Sequence, residues 1–325
     1  MKVLKRAELS VSQINSINGA ANISVNVRKN YGPLYSSPMA LWSFLFFLAP
    51  IAIIIIYSFL KRGIYGGVEW QFSLDAYRYL GDPVFLNITL RTISTSFAAT
   101  IFTILIALPC GYCIARSKHQ TFFLLLIIIP FWTNFLIRVF AWMNILGNNG
   151  FLNQFLIHVG LIDDYIHFLY NQKAVILVLV YMYLPYAILP LFSTIDKFDF
   201  SLLEAARDLG ANKFTSIVKI LLPNIRGGIF TAILFTFIPI FGAYAVPLLV
   251  GGMDSYMLGN IIADQLSKSR NWPRAAAISM VLTFVTTAGV ILMLNIQRRE
   301  ASRNSEPKGI ENRNGSKAEL NGGAL

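Results

Sequence analysis

Six long apolar runs constrain the fold of this chain more than any other feature of its sequence. Each run is long enough to cross a bilayer as a helix, which takes about 20 residues, and none contains Asp or Glu. The sequence therefore predicts an all-α membrane protein with six transmembrane helices. The predicted spans cover residues 40–60, 88–115, 121–146, 174–195, 228–250 and 275–296.

Composition supports a membrane domain. Of the 325 residues, 55% are hydrophobic and only 13% are charged, whereas soluble domains carry about 25% charged residues. The net charge of +11 is interpreted as the positive-inside bias of a membrane protein, so no nucleic-acid partner is predicted. Cys110 and Cys113 form a C-x-x-C pair inside an apolar run, without a nearby His ligand set. They are interpreted as thiols within a membrane helix.

The positions of Lys and Arg predict the orientation. If the N-terminus is cytoplasmic, most of the 27 Lys and Arg residues fall on the cytoplasmic side, as the positive-inside rule requires. Both termini are therefore predicted to be cytoplasmic. Residues 1–39 are expected to form a tail, 40–297 the membrane domain and 298–325 a disordered tail. On the opposite side, the segment 70–80 mixes aromatic and charged residues and is predicted to lie flat against membrane lipids.

The loop at 199–223, between the fourth and fifth spans, has the signals of a short helix that ends in a tight turn. Ser201 and Glu204 form an S-x-x-E capping box. Asp199 is a rival N-cap residue, and the sequence does not choose between the two. Gly210 is predicted to end this helix in a left-handed conformation.

A second short helix follows the turn, and both loop helices have an apolar side. Asn212 is predicted to cap the second helix, whose apolar residues recur at helical spacing and predict a stripe facing the membrane helices. The stripe consists of Phe214, Ile217, Val218, Leu221 and Leu222. The apolar side of the first helix is predicted to hold Leu202, Leu203, Ala205, Ala206 and Leu209. Charged residues then project into the cytosol, and the alternative to a docking surface is an interfacial loop without a partner.

The spacing in this loop resembles the EAA motif of ABC-importer permeases. The resemblance is carried by Glu204, Ala205, Ala206, Gly210, Ile220, Leu222 and Pro223. It implies a fold like that of type I ABC importers, in which the loop forms coupling helices that contact a dimer of cytoplasmic ATPase subunits. By resemblance, the coupling residues are Glu204, Ala205, Ala206, Arg207, Asp208 and Gly210. The capping box remains a purely local interpretation of Glu204.

The chain has no nucleotide-binding loop of its own. No G-x-x-x-x-G-K-[ST] motif occurs, so ATP is expected to be used by the partner ATPase, and no cofactor or metal is predicted for this chain. The chain is not expected to be an enzyme. A channel or a membrane enzyme is the alternative from a different class. Either would need charged pore rings or catalytic polar clusters, and the predicted spans lack them.

Further segments resemble permeases that import polyamines such as spermidine and putrescine. They lie at 130–133, 136–142, 147–153, 247–252, 257–260 and 272–273. This resemblance covers about residues 40–297 and implies a bacterial inner-membrane location, a second homologous permease subunit and a periplasmic or surface solute-binding protein. Permeases for other small solutes, such as an anion or an amino-acid derivative, share part of these segments, so the solute stays open.

An importer needs a route between its spans, and interrupted helices are the expected place for one. Irregular backbone at membrane depth is tolerated mainly where it is packed in protein or lines a cavity. Arg138 is the most conspicuous intramembrane charge and is unsuited to bind a cation directly, so we expect a gate or structural role for it. Aromatic faces hold a cation weakly, which suits passage. The predicted pathway residues are Trp132, Arg138, Trp142, Tyr183, Pro239, Phe241, Gly242 and Tyr244; ordinary helix packing is the alternative.

Overall fold

The computed structural model describes residues 32–305. Residues 1–31 and 306–325, which belong to the two predicted tails, lie outside the described residues. The chain divides by packing into two units, at 1–53 and 54–325.

The first unit contains most of helix α1 (Gly32–Ser58), which begins before the predicted start at Ala40. The helix is apolar over nearly its whole length, and its stretch from Ser37 to Ser58 is long enough to cross a membrane. Within it the rings of Trp42 and Phe46 lie 4.4 Å apart. The first predicted span is therefore a continuous helix.

The second unit contains the remaining elements, which are helical except for one small hairpin. Its first part comprises strands β1 (Leu60–Arg62) and β2 (Val68–Phe72), α2 (Asp75–Arg78), a 3₁₀ turn (Tyr79–Gly81), α3 (Pro83–Ala115), α4 (Gln120–Ile128), a 3₁₀ turn (Ile129–Trp132), α5 (Phe135–Leu146), α6 (Phe151–His158) and α7 (Gln172–Ile195). Its second part comprises α8 (Ser201–Asp208), α9 (Lys213–Ser216), a π-helical turn (Ile217–Leu221), α10 (Leu222–Asn224), α11 (Arg226–Phe241), α12 (Ala245–Val250), a 3₁₀ turn (Met253–Ser255), α13 (Leu258–Ser267) and α14 (Trp272–Ser305). The predicted all-α membrane fold is confirmed.

Four helices in the described part of the chain are long and apolar enough to cross a membrane, and the number rises to six if each of two bent pairs is one span. The four are α1, α3, α7 and α14. One bent pair joins Gln120–Trp132 to Phe135–His158 at an angle of 93°, and the other joins Lys213–Asn224 to Arg226–Phe241 at 73°. The third predicted span is therefore a broken helix. The second bend lies at Ile225, before the fifth predicted span at 228–250, and that span is interrupted between α11 and α12.

The break in the third span has a local cause. Pro130 lacks a backbone N–H and lies in a tight 3₁₀ turn that ends at Trp132. Asn134 then restarts the helix, because its side-chain oxygen accepts a hydrogen bond from the Leu136 N–H at 2.8 Å. The chain changes direction between these two signals.

Helix α7 is the centre of the second unit and packs mainly on α3 and α11. Helix α7 can lie close to α3 because small buried residues occupy every fourth position along one side of α3. At Gly111, an added Cβ would lie 3.4 Å from the backbone nitrogen of Phe192 on α7. The stripe consists of Ala99, Thr103, Ala107 and Gly111.

The buried apolar residues form three clusters. The first joins α3, α5, α7, α11 and α12. The second joins the other halves of α3 and α7 to the loop at 199–225 and to α11. The third joins the beginning of α3, the end of α11, α13 and α14. The second cluster is the one that positions the loop with the EAA motif.

Candidate functional site

Helix α8 of the loop begins at Ser201, and the side-chain acceptor at its start is Asp199. Asp199 Oδ1 accepts a hydrogen bond from the Ser201 N–H at 3.0 Å. The alternative box between Ser201 and Glu204 is absent from the hydrogen bonds within residues 32–305. Hydrogen bonds from the Ser201 side chain and then its backbone hold the pKa of the Asp199 carboxyl below its ordinary value. The negative charge also suits the positive end of the helix dipole.

The end of α8 is a Schellman turn at Gly210, as predicted. Gly210 has a φ of +87°. Its N–H donates to the Arg207 carbonyl at 2.8 Å, and the Ala211 N–H donates to the Ala206 carbonyl at 3.0 Å. These two bonds satisfy carbonyls that the end of the helix would otherwise leave free. The turn thus fixes the direction in which the chain leaves α8.

The second loop helix is capped by Asn212, as predicted, but its apolar stripe differs from the prediction. Asn212 Oδ1 accepts from the Thr215 N–H at 2.7 Å. The π-helical turn that follows uses a wider hydrogen-bond spacing than an α-helix and so shifts the facing of later residues. Leu221 is fully buried, while Phe214 and Val218 are 76% and 41% exposed. The prediction that these two face the membrane helices is wrong.

The loop ends in an exposed surface, which we call the loop tip. It consists of Arg207, Asp208, Leu209, Gly210, Lys213 and Phe214, all exposed. Leu209 is 89% exposed, so its predicted place on the inner side of α8 is wrong. An exposed Leu and an exposed Phe among charged residues are typical of a protein contact surface.

The remaining residues of the predicted coupling motif divide between the two sides of α8. Glu204 and Ala205 are exposed beside the loop tip. Ala206 is buried, as is Leu203 in the second apolar cluster. Ala206 therefore packs within this chain, where its small side chain lets α8 lie close to its neighbours.

The base of the loop is attached to the ends of three helices. The Phe200 ring lies 6.2 Å from that of Tyr112 on α3, and the Arg116 guanidinium lies over Phe200 at 5.1 Å. At the start of α4, Gln120 Nε2 donates to Asp196 Oδ1 at 3.0 Å. Phe200 therefore joins the loop to the end of α3, and Gln120 joins the start of α4 to Asp196 at the end of α7, just before the loop.

The broken third span forms an aromatic cluster with α7. The Arg138 guanidinium lies over the ring of Phe131 at 4.5 Å. The Phe131 ring meets Tyr186 edge to face at 5.1 Å, and Tyr186 lies 5.8 Å from Tyr183. The Arg138 guanidinium makes no hydrogen bond or ion pair within the described part of the chain, and its Nε is buried without a partner. We call Phe131, Arg138, Tyr183 and Tyr186 the aromatic cluster.

The other predicted pathway residues of the third span do not lie in the aromatic cluster. Trp142 packs edge to face on Tyr181, with ring centroids 5.3 Å apart. Trp132 is 84% exposed. Of the pathway residues predicted in this region, the structure therefore brings only Arg138 and Tyr183 into one cluster.

The predicted pathway residues of the fifth span lie around the gap between α11 and α12. Phe241 is 1% exposed and packs in the third cluster, so it belongs to the core in this conformation. Pro239, Gly242 and Tyr244 are exposed. The backbone at the gap is held by Asn260, whose Nδ2 donates to the Tyr244 carbonyl at 3.0 Å. Asn260 lies in the segment 257–260 that resembles polyamine permeases, but the sequence predicted no role for it in the site, because a buried Asn outside the apolar runs has no distinguishing spacing.

Within residues 32–305, no cluster of three or more His, Cys, Asp and Glu side chains could hold a metal ion. The loop tip offers an exposed contact surface, and the aromatic faces can bind a cation weakly.

Comparison with known proteins identifies relatives over most of the chain. A family model described as "Binding-protein-dependent transport system inner membrane component" matches residues 85–302. The spermidine/putrescine transport system permease protein PotB of Escherichia coli strain K12 is 38% identical over 78% of this chain and 92% of its own length. PotB of Haemophilus influenzae is 37% identical over 74% of this chain and 85% of its own length.

A solved structure shares the fold. A bacterial ABC transporter involved in the import of the acidic polysaccharide alginate superposes with a TM-score of 0.68, over 83% of this chain and 96% of that chain. Its sequence is only 18% identical, so this likeness concerns the fold and not the solute.

Proposed function

Because the chain belongs to the family of binding-protein-dependent transport system inner membrane components, we propose that it is the permease subunit of an ATP-driven importer of polyamines such as spermidine or putrescine. The observation that carries the proposal is the loop tip, an exposed surface on a loop that packs against α3, α4 and α7, in a chain whose sequence has no nucleotide-binding loop motif. The identity to permeases named for spermidine and putrescine supports the solute.

The loop tip is the contact with a dimer of cytoplasmic ATPase subunits in this proposal. Leu209 and Phe214 enter an apolar groove of the ATPase, and each gains about 1.5–3 kcal/mol if it is fully buried. Arg207 and Asp208 lie at the rim of the contact, where charges set orientation more than affinity. Glu204, Ala205 and Gly210 complete the exposed surface.

Motion passes from the ATPase to the membrane through α7. Its inner end packs against the loop through Ile188, Leu191 and Ile195, and the same helix carries Tyr183 and Tyr186 of the aromatic cluster. A displacement of the loop tip by ATP binding therefore moves one wall of the aromatic cluster. This gives alternating access a continuous mechanical connection.

The aromatic cluster and the gap between α11 and α12 form part of the solute route. Trp132, Trp142, Tyr183 and Tyr244 offer aromatic faces on which a cation gains about 0.5–2 kcal/mol, which is weak enough for passage. Arg138 repels a cation and acts as a gate. The six predicted spans contain no carboxylate, so selection of the solute falls mainly to a periplasmic or surface solute-binding protein.

The assembly includes a second, homologous permease subunit and lies in the bacterial inner membrane. Both termini of this chain are cytoplasmic, which puts the loop tip on the ATPase side and the β1–β2 hairpin on the opposite side. The distribution of Lys and Arg supports this orientation. A cysteine at Lys213, labelled by an impermeant maleimide only after the cells are opened, would agree with it.

The test is uptake by the reconstituted importer. The permease pair, the ATPase and the solute-binding protein are placed in vesicles and supplied with labelled spermidine, putrescine, an amino-acid derivative or an anion. We expect ATP-dependent uptake of a polyamine and not of the others. Uptake of another solute alone would support the permease function but contradict the proposed polyamine specificity.

A further inference from the structure

The β1–β2 hairpin lies outside the segment that matches the family model, which begins at residue 85. Its strands pair antiparallel, with Leu60 opposite Phe72 and Arg62 opposite Val68. The sequence prediction of a flat segment at 70–80 missed the hairpin, because the partner strand Leu60–Arg62 is only three residues long and shows no alternating pattern. The coupling and pathway assignments use none of the hairpin residues.

The hairpin has two faces of opposite character, since neighbouring residues in a strand point to opposite sides. Lys61 lies 3.8 Å from Glu69 in an ion pair and donates to Gln71 Oε1 at 3.3 Å, so these residues form the polar face. Trp70 and Phe72 lie on the other face and are 78% and 75% exposed. The Phe72 ring stacks on that of Phe59, just before β1, with centroids 6.0 Å apart, but most of the surface of Phe72 and Trp70 remains exposed.

The turn between the strands is also apolar and exposed. Ile64 and Tyr65 are 90% and 94% exposed. The hairpin therefore exposes large apolar side chains both at its turn and on one face of β2.

The end of the hairpin is fixed at the level where the last membrane span begins. The Gly67 N–H donates to the Arg270 carbonyl at 2.8 Å, and Arg62 Nη2 donates to the Ser269 carbonyl at 2.7 Å. These carbonyls lie just before Trp272, the first residue of the span Trp272–Asn295. The hairpin also follows directly after the span that ends at Ser58. It is therefore held at the membrane boundary and not extended away from it.

We propose that the hairpin is a lipid anchor whose aromatic face and turn lie in the interfacial region of the leaflet on its side of the membrane. Trp and Tyr favour this depth, because their rings are apolar and their polar atoms reach water and headgroups. The basic residues beside them, Arg62 and Arg270, lie where lipid phosphates are. The hairpin thus fixes the ends of α1 and α14 relative to the bilayer.

Depth measurement with spin labels tests this on the full chain. The background carries Cys110→Ser and Cys113→Ser, and one label is placed at Tyr65→Cys, Trp70→Cys or the matched control Gln71→Cys, which points to the opposite face of the same strand. All three side chains are exposed, so the labels do not disturb the core. The protein is reconstituted in vesicles of phosphatidylethanolamine and phosphatidylglycerol.

We expect the labels at 65 and 70 to be relaxed more by oxygen than by a water-soluble nickel chelate, and the label at 71 to show the reverse. The proposal is overturned if all three labels prefer the nickel chelate. It is also overturned if the labels at 65 and 70 are in water and become immobile only when a solute-binding protein is added. The aromatic face would then be a contact surface for that protein and not for lipid.

Discussion

The guanidinium of Arg138 lies 4.5 Å from the ring centroid of Phe131, and this contact joins the two halves of the bent third span. Phe131 belongs to the turn that ends the first half, and Arg138 to the helix that begins the second. The axis turns by 93° between the halves. Arg138 therefore stabilises a bend at a membrane depth where an unpaired charge is costly.

Arg138→Met is expected to lower uptake while the protein still reaches the membrane. A cation–π contact of this kind contributes about 0.5–2 kcal/mol, and its loss loosens the bend, whereas removing a charge eases insertion. Initial uptake rate per inserted permease is the measurement, with Arg138→Lys as the control that keeps the charge. Unchanged uptake by Arg138→Met would show that Arg138 is a tolerated charge without a role in transport.

Gly228→Ala is expected to destabilise the contact between α11 and α7. The added Cβ would lie 2.7 Å from the Cβ of Thr194, and overpacking of this kind costs about 1–3 kcal/mol. Gly227→Ala is a matched control, because nothing lies within 4 Å of a Cβ at that position. Thermal unfolding in detergent should show a lower midpoint for Gly228→Ala only; equal midpoints would contradict the close packing.

The variants Gly210→Ala and Gly210→Asn distinguish the effect of the left-handed turn from the effect of adding a side chain at this position. Nothing lies within 4 Å of an added Cβ at this position, so the φ of +87° is the sole obstacle in this chain, and it costs Ala about 1–2 kcal/mol. Asn tolerates this conformation better. We expect several-fold lower uptake for Gly210→Ala than for Gly210→Asn. If both variants lose uptake equally and keep the fold, close contact with the ATPase, and not the turn, decides the effect.

The lowered pKa of the Asp199 carboxyl predicts how the stability of the loop depends on pH. This carboxyl has a lowered pKa in the folded loop, so its stabilising effect is present above the ordinary Asp value of about 3.9 and is lost only as pH falls through the lower folded value. Hydrogen exchange of residues 201–208 should therefore be insensitive to this group between about pH 5 and 8. Asp199→Ala should speed exchange there and Asp199→Asn much less, because Asn is also a good cap. Equal exchange in both variants would contradict the capping role.

Signals that act within a few residues were read correctly from the sequence. Gly210 ends a helix and Asn212 starts one, because these residues satisfy backbone groups locally whatever the surroundings. The apolar runs also predicted the membrane-spanning segments, because a bilayer requires every such segment to be long and apolar.

Features that depend on geometry between elements were not predictable from spacing. The π-helical turn at Ile217–Leu221 changes the facing of Val218 relative to Phe214, and a regular helical period cannot anticipate that shift. Leu209 is exposed because α8 is too short to keep one face inward beyond its last turn. Phe241 was assigned to the route as one of several aromatic faces that could hold a cation, but its packing with α3, α13 and α14 puts it in the core.

Stimulation of the ATPase by the solute-binding protein shows whether the loop tip transmits ATP hydrolysis to the membrane helices. The complete importer is reconstituted with the unchanged chain, with Leu209→Ser or with the control Lys219→Ser, an exposed residue of the same loop outside the tip. We predict that solute-loaded binding protein stimulates ATP hydrolysis in the unchanged and Lys219→Ser assemblies but several-fold less in the Leu209→Ser assembly. Equal stimulation in all three would contradict the coupling role of the loop tip.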